Sequence, residues 1–443
     1  MAGEHPAAAT GSRTALEDGV VALAREARDE VVSLTRELVA CVTTARRIGE
    51  PPRDETKLQT ILAARLRALG AMVDVFEPDA IPEGHPLFPA GLDFVGRPQL
   101  AAMLRGRGGG RSLLLSGHID AVEAQPDAWA HDPYDAVERE GLLFGRGVVD
   151  MKGGIAAQLV ACEVLHRAGV RLRGDIVFTT NTDEESYGAG SWCLTEHGVR
   201  ADGGVIAEPS SFNACVACRG TLKPRVKVPG RAGHTQVRHA HWSAGGPVNA
   251  IEKLVPILEA IAEIRADWAT RADCRHALLE PPDIIPTLVN GGTWEVTYPA
   301  TCTLACDVLY LPSQGDADGS GSRVKREIEE RIDAAVAADP WFAEHPLEWS
   351  WGWSAPPAEV PVDLPLVSTV LQAGADIGRV GAVSGMDSWH DAASFALYAD
   401  TPSLSFGPGD IHRAHTVDEC IPVEELVDYV AAMCLVAMRF CGT

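Results

Sequence analysis

Apolar residues recur at three- and four-residue spacing over residues 16–69, which predicts helices there. Beyond this segment, short apolar runs alternate with longer amphipathic ones. The short runs predict buried strands at 112–117, 175–181, 204–207 and 403–406, and the longer runs predict helices at 154–168 and 423–439. Strands that alternate with helices indicate an α/β fold, in which a mainly parallel sheet is covered on both faces.

The middle of the chain has a different pattern. A strand with alternating charge is predicted at 221–230, a long helix at 247–269, strands near 287–289 and 301–311, and a charged helix at 322–337. These elements predict a smaller α+β domain inserted into the larger one. We therefore expect a catalytic domain at 15–217 and 352–443, an inserted lid or dimerisation domain at 218–351, and a disordered tail at 1–14.

Composition narrows the possible partners and the compartment. The 443-residue chain has a formal net charge of -23, which disfavours binding to the phosphate backbone of nucleic acid. No uninterrupted apolar stretch is long enough to predict a membrane span, and the first residues lack the pattern of a secretory signal. Eleven scattered cysteines are typical of reduced thiols, so we expect a cytoplasmic protein.

Imidazole and carboxylate side chains follow the predicted strands. The residues concerned are His118, Asp120, Asp150, Glu184, Glu185, Glu208 and His415. In open α/β sheets, ligands bind at the carboxyl ends of the strands, so these side chains are candidates for one site. Such a ligand set suits zinc and related ions, and it is large enough for two ions with a bridging carboxylate. Because His118 and Asp120 are two residues apart, the Asp120 carboxylate is expected to hold the imidazole.

Six segments together have a recognisable pattern. They read SGHIDAV, WAHDPYDAVEREGLLFGRGVVDMKGG, TTNTDEESYGAG, IAEPS, RAGHTQ and FGPGDIHRAHTVDE, and they lie between residues 116 and 419. With these segments the chain resembles the M20 family of metallopeptidases and deacylases, which includes acetylornithine deacetylase and succinyl-diaminopimelate desuccinylase. Weaker similarity between the segments extends the resemblance to nearly the whole chain.

The resemblance implies a role for each polar residue. It implies that His118 and Glu208 hold one divalent ion and that Glu185 and His415 hold another. Asp150 would bridge the two ions, which would be zinc, with cobalt or manganese as alternatives.

The same resemblance implies the catalytic groups. Glu184 would be the general base that takes a proton from the attacking water, and Asp120 would orient His118. The small domain would form a homodimer, and His234 would reach into the partner subunit's site to polarise the substrate carbonyl. The peptide bond between Asp150 and Met151 would be cis.

The expected function is metal-dependent hydrolysis of an amide bond in a small molecule, most simply an N-acyl compound. The alternatives are a dipeptidase or carboxypeptidase, an aryl-amine aminohydrolase, and a binding protein without catalysis.

Many relatives carry Asp-x-Arg-x-x-Pro in the small domain, whereas this chain has Leu309 at the arginine position. An asparagine common in relatives is replaced by Val296. A buried carboxylate without a cationic partner is costly, so we expect a substrate with an apolar or aromatic part near the lid. The alternative is that Arg219 or Arg238 replaces the missing arginine.

Overall fold

The computed structural model describes residues 13–443. The predicted disordered tail lies outside the described residues except for its last two positions. Of these, Thr14 caps the first helix, because its side chain accepts the N–H of Glu17 while the Glu17 carboxylate accepts the N–H of Thr14. The predicted helical segment at 16–69 forms three helices, with one residue between the first two and a longer non-helical connection at 40–54 before the third.

The helices are α1 (Ala15–Glu26), α2 (Arg28–Val39), α3 (Glu55–Ala68), α4 (Lys152–Arg167), α5 (Ala189–Glu196), α6 (Ala250–Trp268), α7 (Ser322–Val336), α8 (Pro340–Glu344), α9 (Pro365–Asp376), α10 (Ala392–Tyr398) and α11 (Val423–Cys441). The strands are β1 (Met72–Phe76), β2 (Gln99–Leu104), β3 (Leu113–His118), β4 (Val137–Arg139), β5 (Leu142–Phe144), β6 (Ile176–Asn181), β7 (Gly203–Ile206), β8 (Ala214–Cys218), β9 (Gly220–Pro229), β10 (Asp283–Gly291), β11 (Thr301–Tyr310), β12 (Glu348–Ala355), β13 (Ala358–Glu359), β14 (Val383–Met386), β15 (Ser403–Ser405) and β16 (Cys420–Pro422).

The large sheet has the strand order β1-β2-β6-β3-β7-β15-β8-β13, and β14 pairs with β8. Its centre is parallel, because β6, β3, β7 and β15 run in the same direction, whereas β2 and β8 join this centre in antiparallel pairs. The α/β fold is therefore confirmed, with a mixed sheet whose parallel part is central. Every residue of β3, β6 and β7 is buried, as expected for strands that are covered on both faces.

The helices on the large sheet explain this burial. Helices α4 and α11 are buried along nearly their whole length and pack against each other in the main hydrophobic cluster. A helix that is apolar on all sides can be stable only in such an environment. Both helices begin next to segments that carry candidate site residues, so their packing fixes the position of these segments.

The small domain contains a four-stranded antiparallel sheet with the order β10-β11-β9-β12, which we call the small sheet. Its core is a separate hydrophobic cluster. Helix α7 contributes Val324, Ile328, Ile332 and Val336, which lie on one face at four-residue spacing. Strand β12 continues to Ala355, beyond the predicted border at residue 351.

Two features bear on the compositional predictions. Within residues 13–443, no helix is both long and apolar enough to cross a membrane. Each of the eleven cysteines is a buried free thiol.

Candidate metal centre

Asp150 lies between two imidazoles at the carboxyl edge of the large sheet. Its Oδ1 lies 3.0 Å from Nε2 of His118, at the end of β3, and its Oδ2 lies 3.3 Å from Nε2 of His415. Each carboxylate oxygen therefore serves a different imidazole, which is the arrangement that a carboxylate bridging two ions requires. The peptide bond between Asp150 and Met151 is cis.

Two further carboxylates complete the cluster. Oε1 of Glu185 lies 3.0 Å from Nε2 of His415, and Oε1 of Glu208 lies 3.8 Å from Nε2 of His118. One ligand atom each from His118, Asp150 and Glu185 lies within 4.8 Å of the other two. Oε1 of Glu208 is buried and has no hydrogen-bond partner among residues 13–443, which is costly unless a cation binds there. The residues present therefore fit divalent metal ions.

The electrostatics of the cluster favour the binding of positive charge. Burial raises the pKa of Glu184 well above its ordinary value, and the nearby carboxylates of Glu208 and Glu185 raise it further, against the opposing effect of His118. Hydrogen bonds to Asp150 and Glu185 raise the pKa of His415 to about 10. The raised pKa values of Glu184, Glu185 and Glu208 mean that these three carboxylates hold on to protons, and bound cations would relieve the repulsion between them.

Asp120 makes different contacts from those predicted. Nδ1 of His118 donates to the backbone carbonyl of Asp120 at 2.9 Å, whereas the carboxylate oxygen is 3.7 Å away. The carboxylate instead accepts the backbone N–H groups of Glu184, at 3.3 Å, and Glu185, at 3.1 Å. Asp120 thus orients the imidazole through its main chain and holds the loop after β6 through its side chain.

Glu419 is a site residue that the sequence analysis did not predict, although it is the last residue of the segment FGPGDIHRAHTVDE. Its buried carboxylate accepts the backbone N–H groups of Gly147 at 3.0 Å, Val149 at 2.8 Å and Asp150 at 3.3 Å. It also pairs with Arg146 at 2.6 Å. Burial raises the pKa of Glu419 to about 7, against the lowering effect of Arg146. Glu419 therefore anchors the loop that carries Asp150.

A cavity of about 370 Å³ opens above the cluster. Asp150, Glu184, Glu185, Glu208 and His415 line its floor. The small sheet contributes Thr221, Lys223, Asp307, Leu309 and Trp353, and the large domain contributes Met386, Ser388, Trp389, Ile411 and Ala414. The cavity volume is sufficient for a small organic substrate.

Among the predicted site residues, His234 lies away from this cavity. It is exposed on the small domain, where it pairs with Thr297 in a short β-bridge, and its Nδ1 accepts the N–H of Gln236 at 3.1 Å. It is not among the residues that line the cavity of its own chain.

A cluster of imidazoles and carboxylates beneath a cavity, at the carboxyl ends of parallel strands, defines a metal-dependent hydrolase. Residues 114–439 match the Peptidase family M20/M25/M40, and the chain belongs to this family. Hydrolases of this family act on amide bonds and use two metal ions, and the chain is accordingly a metal-dependent amidohydrolase.

Known proteins similar to the chain include two bacterial enzymes and one human structure. N-formyl-4-amino-5-aminomethyl-2-methylpyrimidine deformylase of Bacillus subtilis (strain 168) is 26% identical over 433 residues, which cover 94% of this chain and 96% of the relative. Acetylornithine deacetylase of Proteus mirabilis (strain HI4320) is 25% identical over 393 residues, which cover 88% and 91%. The crystal structure of human carnosine dipeptidase 1 has a TM-score of 0.71 at 16% identity and covers 97% of this chain and 100% of that one.

Proposed function

We propose that His118 and Glu208 hold one divalent ion, that Glu185 and His415 hold a second, and that Asp150 contacts both. The distances among these five side chains support the assignment, as does the unpartnered oxygen of Glu208. Zinc suits the mixture of imidazole and carboxylate ligands, and cobalt or manganese could replace it. When bound, the ions would polarise the amide carbonyl and make a nearby water acidic at neutral pH.

Glu184 is the proposed general base. Its Oε2 lies 4.0 Å from Nε2 of His118, so it is adjacent to the ligand cluster but farther from either imidazole than Asp150 is. The backbone contact with Asp120 fixes its loop. Glu184 would take a proton from the attacking water and deliver it to the leaving nitrogen.

We infer that the substrate is a small N-acyl amide with an aromatic or apolar part and without a carboxylate beside the scissile bond. The observation that carries this inference is the upper wall of the cavity. Leu309 stands at the position of the family arginine, and Nζ of Lys223 is neutralised by Asp307 at 2.6 Å. Arg219, considered as a replacement, points elsewhere and donates to the carbonyls of Asp387 and Pro281.

The aromatic residues of the cavity support the same substrate class. Trp353 and Trp389 line the cavity, and a substrate ring could pack against them. The similar deformylase of Bacillus subtilis acts, by its name, on an N-formyl compound that contains a pyrimidine ring. An N-formyl or N-acetyl group on an aromatic or heteroaromatic amine would suit a cavity of this size and composition.

A homodimer is the proposed assembly, with His234 reaching the partner subunit's site. Strand β10 forms an edge of the small sheet and exposes Ile285, Leu288 and Val289, while α6 exposes Ile251 and Val255. An exposed apolar edge strand beside an exposed apolar helix face is typical of a subunit interface.

We propose that the small domain covers about residues 218–355, because β12 continues to Ala355. The proposed cytoplasmic location is supported by the free thiols.

A substrate panel tests the proposed function. The zinc-loaded enzyme should cleave N-formyl aromatic amines with a higher kcat/KM than N-acetylornithine or succinyl-diaminopimelate. Leu309→Arg should improve the two carboxylate-bearing substrates by about tenfold or more, because a charge-assisted contact contributes ~1.5–3 kcal/mol. Val380→Arg adds the same charge at an exposed position outside the cavity and should change nothing. Efficient cleavage of N-acetylornithine by the unmodified enzyme would contradict the proposal.

A further inference from the structure

The cleft between the large and small sheets has a second compartment next to the metal cavity. It has a volume of about 330 Å³ and shares two wall residues, Lys223 and Trp353, with the metal cavity. Tyr187, three residues after Glu184, lines one side, and the small sheet lines the other. The two compartments are therefore neighbouring parts of one elongated cleft.

Three cations alternate along one face of β9 and differ in their partners. Lys223 pairs with Asp307 at 2.6 Å, and Lys227 pairs with Glu348 at 2.9 Å. Arg225 lies between the two lysines and lines the second compartment. Within residues 13–443, no carboxylate oxygen lies within 4 Å of its guanidinium group. Arg225 is thus the cation of this face whose charge the chain leaves uncompensated.

The neighbouring strands explain why Arg225 lacks a partner. The residues opposite it are Ala305 on β11 and Ser350 on β12, and neither can provide a negative charge. Ala305 and Gly352 also line the compartment, and neither residue brings a bulky side chain to its wall. A guanidinium group with a free planar edge binds carboxylates and phosphates through two parallel hydrogen bonds.

We propose that this second compartment binds an anionic group, a carboxylate or a phosphate, at the far end of the substrate, with Arg225 as the residue that contacts it. The proposal rests on the proposed function, in which the scissile amide lies beside Glu184. The apolar or aromatic middle of such a substrate would pass Trp353, which borders both compartments. Leu309, in the metal cavity, offers no charge to an anion beside the reacting bond. The anionic group would instead be recognised in the second compartment, and the enzyme would select elongated substrates.

Three matched compounds test the proposal. They are N-formyl-4-(2-carboxyethyl)benzylamine, its neutral carboxamide and its phosphonate analogue. Binding to the zinc-loaded full-length Glu184→Gln enzyme is measured by calorimetry, and hydrolysis is measured with the unmodified enzyme. Arg225→Gln should raise Kd and KM for at least one anionic compound by about tenfold or more and leave the carboxamide within about twofold. Lys227→Gln is the control, because it removes a cation from the same face that lies outside both compartments.

The outcomes separate this inference from the proposed function. If Arg225→Gln raises Kd and KM more for the phosphonate, the site prefers a phosphate-like group. If it raises them more for the carboxylate, the site prefers a carboxylate group. Hydrolysis of all three compounds with no change, or with an equal change, in Arg225→Gln would overturn the anion site and leave the proposed function intact. If the unmodified enzyme hydrolyses none of them and Glu184→Gln binds none, both proposals fail. Binding without hydrolysis would overturn only the proposed function, and the Arg225→Gln binding data would then decide the anion site.

Discussion

Oε1 of Glu208 faces Nε2 of His118 at 3.8 Å, which is too long for a hydrogen bond. Both side chains are buried, and in the part of the chain that the structure describes this Glu208 oxygen accepts no hydrogen bond. Zinc binds nitrogen and oxygen ligands at ~2.0–2.2 Å, so an ion between these two atoms would need only a small adjustment of the side chains. The separation of this pair is the basis of the first prediction.

Glu208→Ala should reduce the metal content from two ions per chain to one. The same variant should melt at a lower temperature than the zinc-loaded enzyme, since an ion that binds only the folded state stabilises it. Metal analysis and scanning calorimetry, before and after chelation, measure both effects. Glu424→Ala, at an exposed position on α11, is the control. Two retained ions in Glu208→Ala would show that Glu208 is not a ligand.

Glu184 and Glu185 should respond differently to the same substitution. Glu184→Gln should keep both ions and lose about two to four powers of ten in kcat, as expected when a general base is removed. Glu185→Gln should weaken metal binding, because its oxygen lies 3.0 Å from His415. Activity is compared with metal content for each variant. Loss of an ion from Glu184→Gln, with both ions retained in Glu185→Gln, would mean that the two roles are reversed.

His234→Ala should impair turnover without changing the metal content, since His234 lies outside the cavity of its own chain. Mixed with Glu184→Gln, it should regain part of the activity, because one site of each hybrid dimer then has both groups intact. Subunit exchange must be demonstrated by mass spectrometry of differently labelled chains. An absence of complementation despite exchange, or a monomer in solution, would rule out a shared site.

His390 should make the protein sensitive to acid. Burial lowers the pKa of His390 from its ordinary value to about 4. Between pH 6.5 and 4 the unfolded chain binds a proton that the folded chain does not, so this contribution to stability is present above pH 6.5 and is lost as the pH falls. The free energy of unfolding should fall by up to ~1.4 kcal/mol per pH unit from this group.

Urea unfolding of the metal-free protein at several pH values measures the slope, and His390→Asn should flatten it. His412→Asn, which changes an exposed histidine, is the control. Equal slopes for the unmodified protein and His390→Asn would contradict the assignment.

Much of the fold could be predicted because burial on both faces leaves a clear pattern. The predicted strand at 112–117 corresponds to β3, and the predicted helix at 423–439 corresponds to α11, each within about two residues. Other strands of the large sheet, among them β2, β8, β13 and β14, were not predicted. Their positions depend on the strands with which they pair.

The candidate site could also be predicted only in part, because some of its contacts join distant parts of the chain. His118 and Glu208 could be assigned to one edge because each follows a buried strand, and the structure brings them together. The carboxylate of Glu419 contacts the loop before Asp150 across about 270 positions of the chain. No periodicity links such distant positions, so this contact could not be predicted. The actual contacts of Asp120 also depend on how two loops meet in space.

The small sheet interrupts the chain between Glu208 and His415, and α11 follows both. This order has a consequence for biosynthesis. On the ribosome, residues 220–355 emerge as a continuous segment that can form its own hydrophobic cluster, whereas the large sheet still lacks β14, β15 and the helix that buries its face. The nascent chain therefore cannot present the complete proposed ligand set until His415 has been translated, so binding of both ions would come after the hydrophobic cluster of the small domain can form.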